Sequence, residues 1–207
     1  MVIELPAPEM QRPESLVDCI KSRRSSRNYK KKKLPLGVLS QLLWSAQGVT
    51  GVDKERATPS ADRFYPLHLK IVVQQVSELE SGVYEYNADS HSLKLVGGSI
   101  PKGTMHELGI GDQPWLNEAA IVIGVTAEFK ETIRHFGYQL PLGERGARYV
   151  YMETGALAQN VHLQCTALGV GCVLVAGFDD ALVKNTLKLS SSLEPTALLC
   201  IGLREDK

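Results

Sequence analysis

Between residues 36 and 48 the apolar positions Leu36, Leu39, Leu42, Leu43 and Ala46 recur at helical spacing, and Gly48 follows as a stop signal. This predicts an amphipathic helix over 36–48. A helix is also expected from Pro13-Glu14-Ser15 through Leu16, Val17 and Ile20 to about Arg23, because proline and an acid suit a first turn. The longest helical stretch is 144–168. Ala147, Val150, Ala156, Ala158, Val161 and Leu163 make it apolar over more than one face, as expected at a core or a large interface, and it ends at Gly169-Val170-Gly171. Short helices are expected at Phe129–Phe136 and Asp179–Leu187, the latter with Asp179 or Asp180 near its cap. Weak helical signals lie between 101 and 118.

Other segments change period. His68–Gln74 alternates as a strand does, and Gly82–Tyr86 with Ser92–Val96 reads as a hairpin around Asn87-Ala88-Asp89-Ser90. Ala119–Thr126 is a continuous apolar run, the signature of a central strand covered on both faces. Cys172–Val175 reads as another buried strand, and Thr196–Ile201 as the last. The first ten residues are extended and carry Pro6 and Pro8. Helices and strands that do not alternate regularly predict an α+β sandwich rather than a doubly wound parallel sheet. With no repeat, linker or break in composition, one domain over 1–207 is expected, its residues 1–12 forming an extended N-terminal segment.

Composition narrows the classes. Lys+Arg and Asp+Glu are both 23 and aromatics are 6%, which argues against a nucleic-acid binder, a class marked by basic excess and stacking aromatics. No apolar run approaches the roughly 20 residues of a membrane span, and the start lacks the basic and apolar regions of a signal peptide. Cys19, Cys165, Cys172 and Cys200 form no Cys-x-x-Cys pair, and three lie in strongly apolar segments. They read as buried, reduced thiols of a cytoplasmic protein. The five histidines show no metal-ligand spacing. His162 and Cys165, one helical turn apart, read as core packing rather than as a base and its nucleophile. Gly169-Val170-Gly171 follows a helix, so it is not a dinucleotide-binding turn, and no Walker-type loop is present.

Arg23-Arg24-Ser25-Ser26-Arg27 concentrates three guanidiniums and two hydroxyls in five residues. Guanidinium forks match phosphate, and serine hydroxyls complete its shell. Because the whole chain is neutral, a small phosphorylated ligand explains the cluster better than a polyanion does. A solvated basic helix end, continuing into Lys30–Lys33, is the other reading.

Four segments in order resemble the flavin-dependent nitroreductase family. They are Arg23–Arg27 with Tyr29; Pro59-Ser60-Ala61-Asp62-Arg63-Phe64-Tyr65-Pro66-Leu67; Arg148-Tyr149 with Gly155, Ala158-Gln159-Asn160, Leu163 and Ala167-Leu168-Gly169; and Val175-Ala176-Gly177-Phe178-Asp179 with Glu194-Pro195, Ile201-Gly202 and Arg204. The Tyr-Pro-Leu form is similar to the subgroup of azoline-oxidising peptide dehydrogenases, although Asp62 stands where that subgroup often has Gly and Leu203 where it often has Pro.

The resemblance implies a three-layer α/β/α sandwich with a mainly antiparallel sheet and a homodimer with two shared FMN sites. It implies hydride transfer from NAD(P)H to a small electrophile such as a nitroaromatic or quinone. Oxidation of a heterocycle in a peptide or natural product, or flavin binding without turnover, are the alternatives. Arg23, Ser25 and Arg204 are then expected at the FMN phosphate and Arg27 at the pyrimidine edge, with Arg24 also among the cofactor-binding residues. Pro59, Ser60, Ala61 and Arg63 are expected near the partner's FMN. Val175, Ala176 and Gly177 would present backbone to flavin N5, where the plain alternative is a strand-to-helix turn. Gln113 either pairs with the ring edge or is a solvated loop amide. No catalytic side chain is expected, because hydride transfer at N5 needs none.

Overall fold

The computed structural model describes residues 1–11, 13–140 and 143–205; Arg12, the last residue of the extended segment, lies outside them. The strands are β1 (Val2–Glu4), β2 (Leu67–Val73), β3 (Gly82–Asn87), β4 (Ser92–Gly97), β5 (Ile121–Ala127), β6 (Val170–Val175) and β7 (Glu194–Leu203). The helices are α1 (Leu16–Ser22), α2 (Leu36–Gln47), α3 (Thr104–Glu107), α4 (Trp115–Glu118), α5 (Phe129–His135), α6 (Arg145–Ala167) and α7 (Asp180–Thr186).

The apolar run at β5 is buried at every position and lies inside the sheet, whose order is β1-β4-β3-β2-β5-β7-β6. Every ladder is antiparallel. Alternation along each strand divides the core in two. Leu69, Ile71, Ile123, Leu199 and Ile201 face α2 and α6, with Leu39, Leu42, Val150 and Leu157 packed on them. Val72, Val122, Leu198 and Cys200 face the other way, against Met105, Leu108, Leu116, Val183 and Leu187. Two helical layers on one antiparallel sheet make the α+β, three-layer α/β/α sandwich that the resemblance implied.

Local chemistry sets the ends. Ser15 caps α1, its hydroxyl accepting the Asp18 N–H at 3.1 Å, so the helix starts after the Pro13-Glu14-Ser15 signal rather than within it. Asp179 caps α7 by accepting the Leu182 N–H at 2.9 Å. Gly169, with φ +68, ends α6 in the left-handed conformation that favours glycine.

Residues 2–4 are extended, as expected, and also pair with β4 as an edge strand. Cys172–Val175 is a strand at the opposite edge, with Cys172, Val173 and Val175 buried as expected and Leu174 43% exposed. All four cysteines are free and buried, and His162 and Cys165 pack in the core.

Candidate functional site

The outer edge of β6 is met by the segment after α1. Ser25 bridges Cys172 in parallel, and the Ser26 N–H donates to the Cys172 carbonyl at 2.8 Å. Tyr29 then bridges Arg204, and the Lys30 N–H donates to the Leu203 carbonyl at 2.8 Å. Arg204 is thereby brought beside the Arg23–Tyr29 segment from the far end of the chain.

Two glycines make this docking possible. A Cβ on Gly202 would come within 2.9 Å of Tyr29 ring carbons, and one on Gly171 would lie 2.8 Å from Ser26 Oγ and 3.1 Å from Tyr29 Cε1. The Tyr29 ring therefore packs closely against the strand backbone at Gly171 and Gly202. Its hydroxyl reaches the Cys200 and Ser26 carbonyls, each at 2.8 Å. Burial pushes the Tyr29 phenol far up, so it stays a neutral donor.

Arg23, Ser25, Arg27 and Arg204 stand along this edge. Among the described residues no ion pair engages any of the three arginines. Arg24 is different: its guanidinium donates to the Lys21 and Arg23 carbonyls at 3.0 and 2.8 Å, capping the end of α1. The Arg27 guanidinium lies 5.2 Å from the centre of the Trp115 ring, a cation–π stack. Trp115 Nε1 is buried without an acceptor among the described residues.

Val175 points its side chain into the core, whereas Ala176 and Gly177 are exposed. Gln113 is not a free loop amide in this structure. Its Nε2 donates to the Gly177 carbonyl at 2.6 Å and to the Ile110 carbonyl at 3.0 Å. The Ile110 N–H also donates to the Gly177 carbonyl, at 2.9 Å. This fixes the peptide at Gly177 on its carbonyl side and leaves its open face toward solvent. Three cations, a hydroxyl and an exposed glycine turn suit a ligand with an anionic tail and a polar ring edge, as FMN has.

The second predicted group lies elsewhere. Ser60 Oγ donates to Glu153 Oε1 at 3.0 Å and the Ala61 N–H donates to the same oxygen at 2.9 Å. Pro59, Ser60, Ala61, Tyr149, Met152, Glu153 and Ala156 line a cavity of about 360 Å³. Arg63 turns to Glu55 at 3.2 Å. A larger cleft of about 590 Å³, between Val2, His68, Glu85 and Lys94, shares none of these residues. Among the described residues no group of ligands is arranged for a metal, and no helix is long and apolar enough to cross a membrane.

Glu153 was not among the expected site residues, yet a signal existed. It falls three residues after Val150 and four before Leu157, on the buried face of α6, where a carboxylate needs partners. Burial raises its carboxyl above the usual range, opposed by the hydrogen bonds from Ala61 and Ser60. A folded pKa above the unfolded one gives stability that is complete below the unfolded value and is lost as pH rises through the folded one. Glu153→Gln should therefore flatten the loss of stability on going upward from about pH 4. Denaturant melts at several pH values measure it; equal slopes in variant and parent would refute the assignment.

Comparison with known proteins agrees with this layout. The Nitroreductase family profile matches residues 20–203. The nitroreductase-family protein MJ1384 of Methanocaldococcus jannaschii is 36% identical over 200 residues, covering 94% of this chain and 96% of that one. The microcin B17-processing protein McbC of Escherichia coli is 24% identical over 182 residues, 80% of this chain; the match spans 65% of McbC. A nitroreductase-family crystal structure from Ralstonia eutropha superposes with a TM-score of 0.83 at 23% identity, covering all of this chain and 90% of that one. With the family profile spanning most of its length and a relative this similar end to end, the chain belongs to the nitroreductase family and is an oxidoreductase.

Proposed function

We propose that the protein is an FMN-dependent oxidoreductase that takes hydride from NADH or NADPH and passes it to a small electrophile, a nitroaromatic, quinone or similar acceptor. The observation that carries this reading is the row Arg23, Ser25, Arg27 and Arg204 beside the open turn at Ala176-Gly177. When bound, FMN supplies hydride acceptance and donation at N5. Arg23, Ser25 and Arg204 hold the phosphate by charge-assisted bonds. Arg27, held by Trp115, sits at the pyrimidine edge and stabilises the negative charge that arises there on reduction. Gly177 allows close approach of the main chain, and Gln113 keeps that peptide in place. The work of the protein is stacking and water exclusion, with no side-chain acid or base required.

The same reading makes the protein a homodimer whose Pro59–Arg63 loops wall the partner's sites. Leu16, Val17 and Ile20 on α1 are 64%, 73% and 57% exposed, and Tyr151 and Met152 on α6 are 61% and 65% exposed. Two helices of one layer thus present apolar side chains for a second copy to cover, in an interface expected to exceed ~2,000 Å².

The likeness to McbC favours a second reading, oxidation of a heterocycle in a peptide. Anaerobic addition of NADH or NADPH to the purified yellow protein separates the two. Rapid bleaching supports the reductase, and slow bleaching with both supports the alternative. Heat release should yield FMN; FAD, or no flavin after incubation with FMN, would end both.

A further inference from the structure

We propose that Glu153 is a positioning residue that acts across the subunit interface. Through Ser60 and Ala61 it holds the Pro59–Tyr65 loop in the shape that walls the partner subunit's flavin site. This rests on the shared-site reading above.

The loop holds a strained shape. Asp62, Arg63 and Tyr65 have φ of 54, 53 and 51, three non-glycine residues in the left-handed region within four positions. L-residues resist that conformation, so contacts outside the loop must impose it. Glu153 Oε1 takes donors from both Ser60 and Ala61, and Ser60 Oγ accepts the Tyr65 N–H at 2.8 Å, which closes the loop on itself. The loop's other fastenings are Asp62 with His135 at 2.8 Å, Arg63 with Glu55 at 3.2 Å, Arg56 over the Tyr65 ring, and Phe64 against the His135 and Phe136 rings. Glu153 is the buried hydrogen-bonding anchor among them, 7% exposed on a helix of 23 residues.

The fold then decides whose site the loop serves. The helix carrying Glu153 packs by Val150, Leu157 and Val161 on one face of the sheet. Trp115, which carries Arg27, packs with the core of the opposite face, as does Phe178 next to Gly177. Within one chain the sheet stands between the anchored loop and the Arg27–Gly177 group. The cavity between loop and helix is instead rimmed by exposed Met152, beside exposed Tyr151, where a second copy would dock. Glu153 therefore acts on the flavin bound by its neighbour.

The test uses two defective chains. Glu153→Ala keeps the phosphate grip but loses the anchor; Arg23→Ala/Arg204→Ala loses the grip but keeps the anchor. Each homodimer should turn over NADH poorly at FMN concentrations that fill only wild-type sites. Co-expressed with different tags and purified as a heterodimer, the pair has one complete site and should recover about half of wild-type turnover. A heterodimer no better than its parents means that Glu153 acts within its own subunit, and overturns the proposal. Glu153→Gln keeps an oxygen acceptor and should stay within roughly threefold of wild type.

A second measurement needs no flavin. Amide exchange of residues 59–65 should be at least ~10-fold faster in Glu153→Ala than in wild type or Glu153→Gln, with little change in the rest of the chain. Equal exchange rates overturn the anchor whether or not FMN binds. A wild-type protein that neither takes FMN nor dimerises would instead overturn the shared-site reading and the action across subunits, while the exchange rates still judge the anchor.

Discussion

The double variant Arg23→Ala/Arg204→Ala should bind FMN on the order of 10²- to 10⁴-fold more weakly than wild type. Each guanidinium removed takes away charge-assisted hydrogen bonds to the phosphate worth ~1.5–3 kcal/mol, and each 1.4 kcal/mol is tenfold. Either single variant should lose about one to two factors of ten. The fold should be spared, because neither side chain is in an ion pair among the described residues and neither belongs to the core. Fluorescence titration of the apoprotein with FMN, beside a thermal melt, measures both. FMN affinity unchanged in the double variant would place the phosphate elsewhere, and weak binding that merely tracks a collapsed melting temperature would make the arginines structural.

Tyr29→Ala should cost far more stability than the arginine variants. The side chain is 5% exposed, seated on Gly171 and Gly202, and bonded through its hydroxyl to the Cys200 carbonyl. Truncating a buried aromatic costs ~3–5 kcal/mol, because the slot it leaves is lined by strand backbone that cannot collapse into it. At roughly 2–4 °C per kcal/mol for a chain of this size, the melting temperature should fall by about 6–20 °C. Tyr29→Phe keeps the ring and loses only the hydroxyl bonds, so its cost should be near ~1 kcal/mol. FMN binding should weaken in both variants, because Tyr29 lies two residues after Arg27 and opposite Arg204. A wild-type melting temperature in Tyr29→Ala would show that the segment is held by its backbone bridges alone.

The two variants probe different kinds of information in the chain. The arginines of the proposed grip stood out before any fold was known, because three guanidiniums and two hydroxyls in five residues suit an anion in any register, although a solvated helix end fits them too. Arg204 joined the expected site only through resemblance, and it is the pairing of Tyr29 with Arg204 that brings it beside that segment. Gln113 could be read either way in the sequence. A side-chain amide in a loop has no periodic signature, and its partner, the Gly177 carbonyl, lies 64 residues away. Arg24 looked equivalent to its neighbours, but the end of α1 claims its donors for unpaired carbonyls. Cys172–Val175 reads as a buried strand, and apolarity alone could not say that it lies at the sheet edge, covered by segment 25–29.

By itself the sequence determined the elements. Side chains that recur every 3.6 or every 2 residues must share a face, and glycine, serine and aspartate end or cap those runs by local backbone chemistry. That was enough for α2, α6, the β3–β4 hairpin and the buried run of β5, and for the α+β class. The tertiary structure decided everything that depends on which faces meet. It set the seven-strand order, the slot for Tyr29 on two glycines, the seat of Arg27 on Trp115, and the capture of Ser60 and Ala61 by Glu153 across more than ninety positions. Those contacts carry no local period, because they form only when strands and helices remote in the chain find their register, and register follows from burial of the whole core.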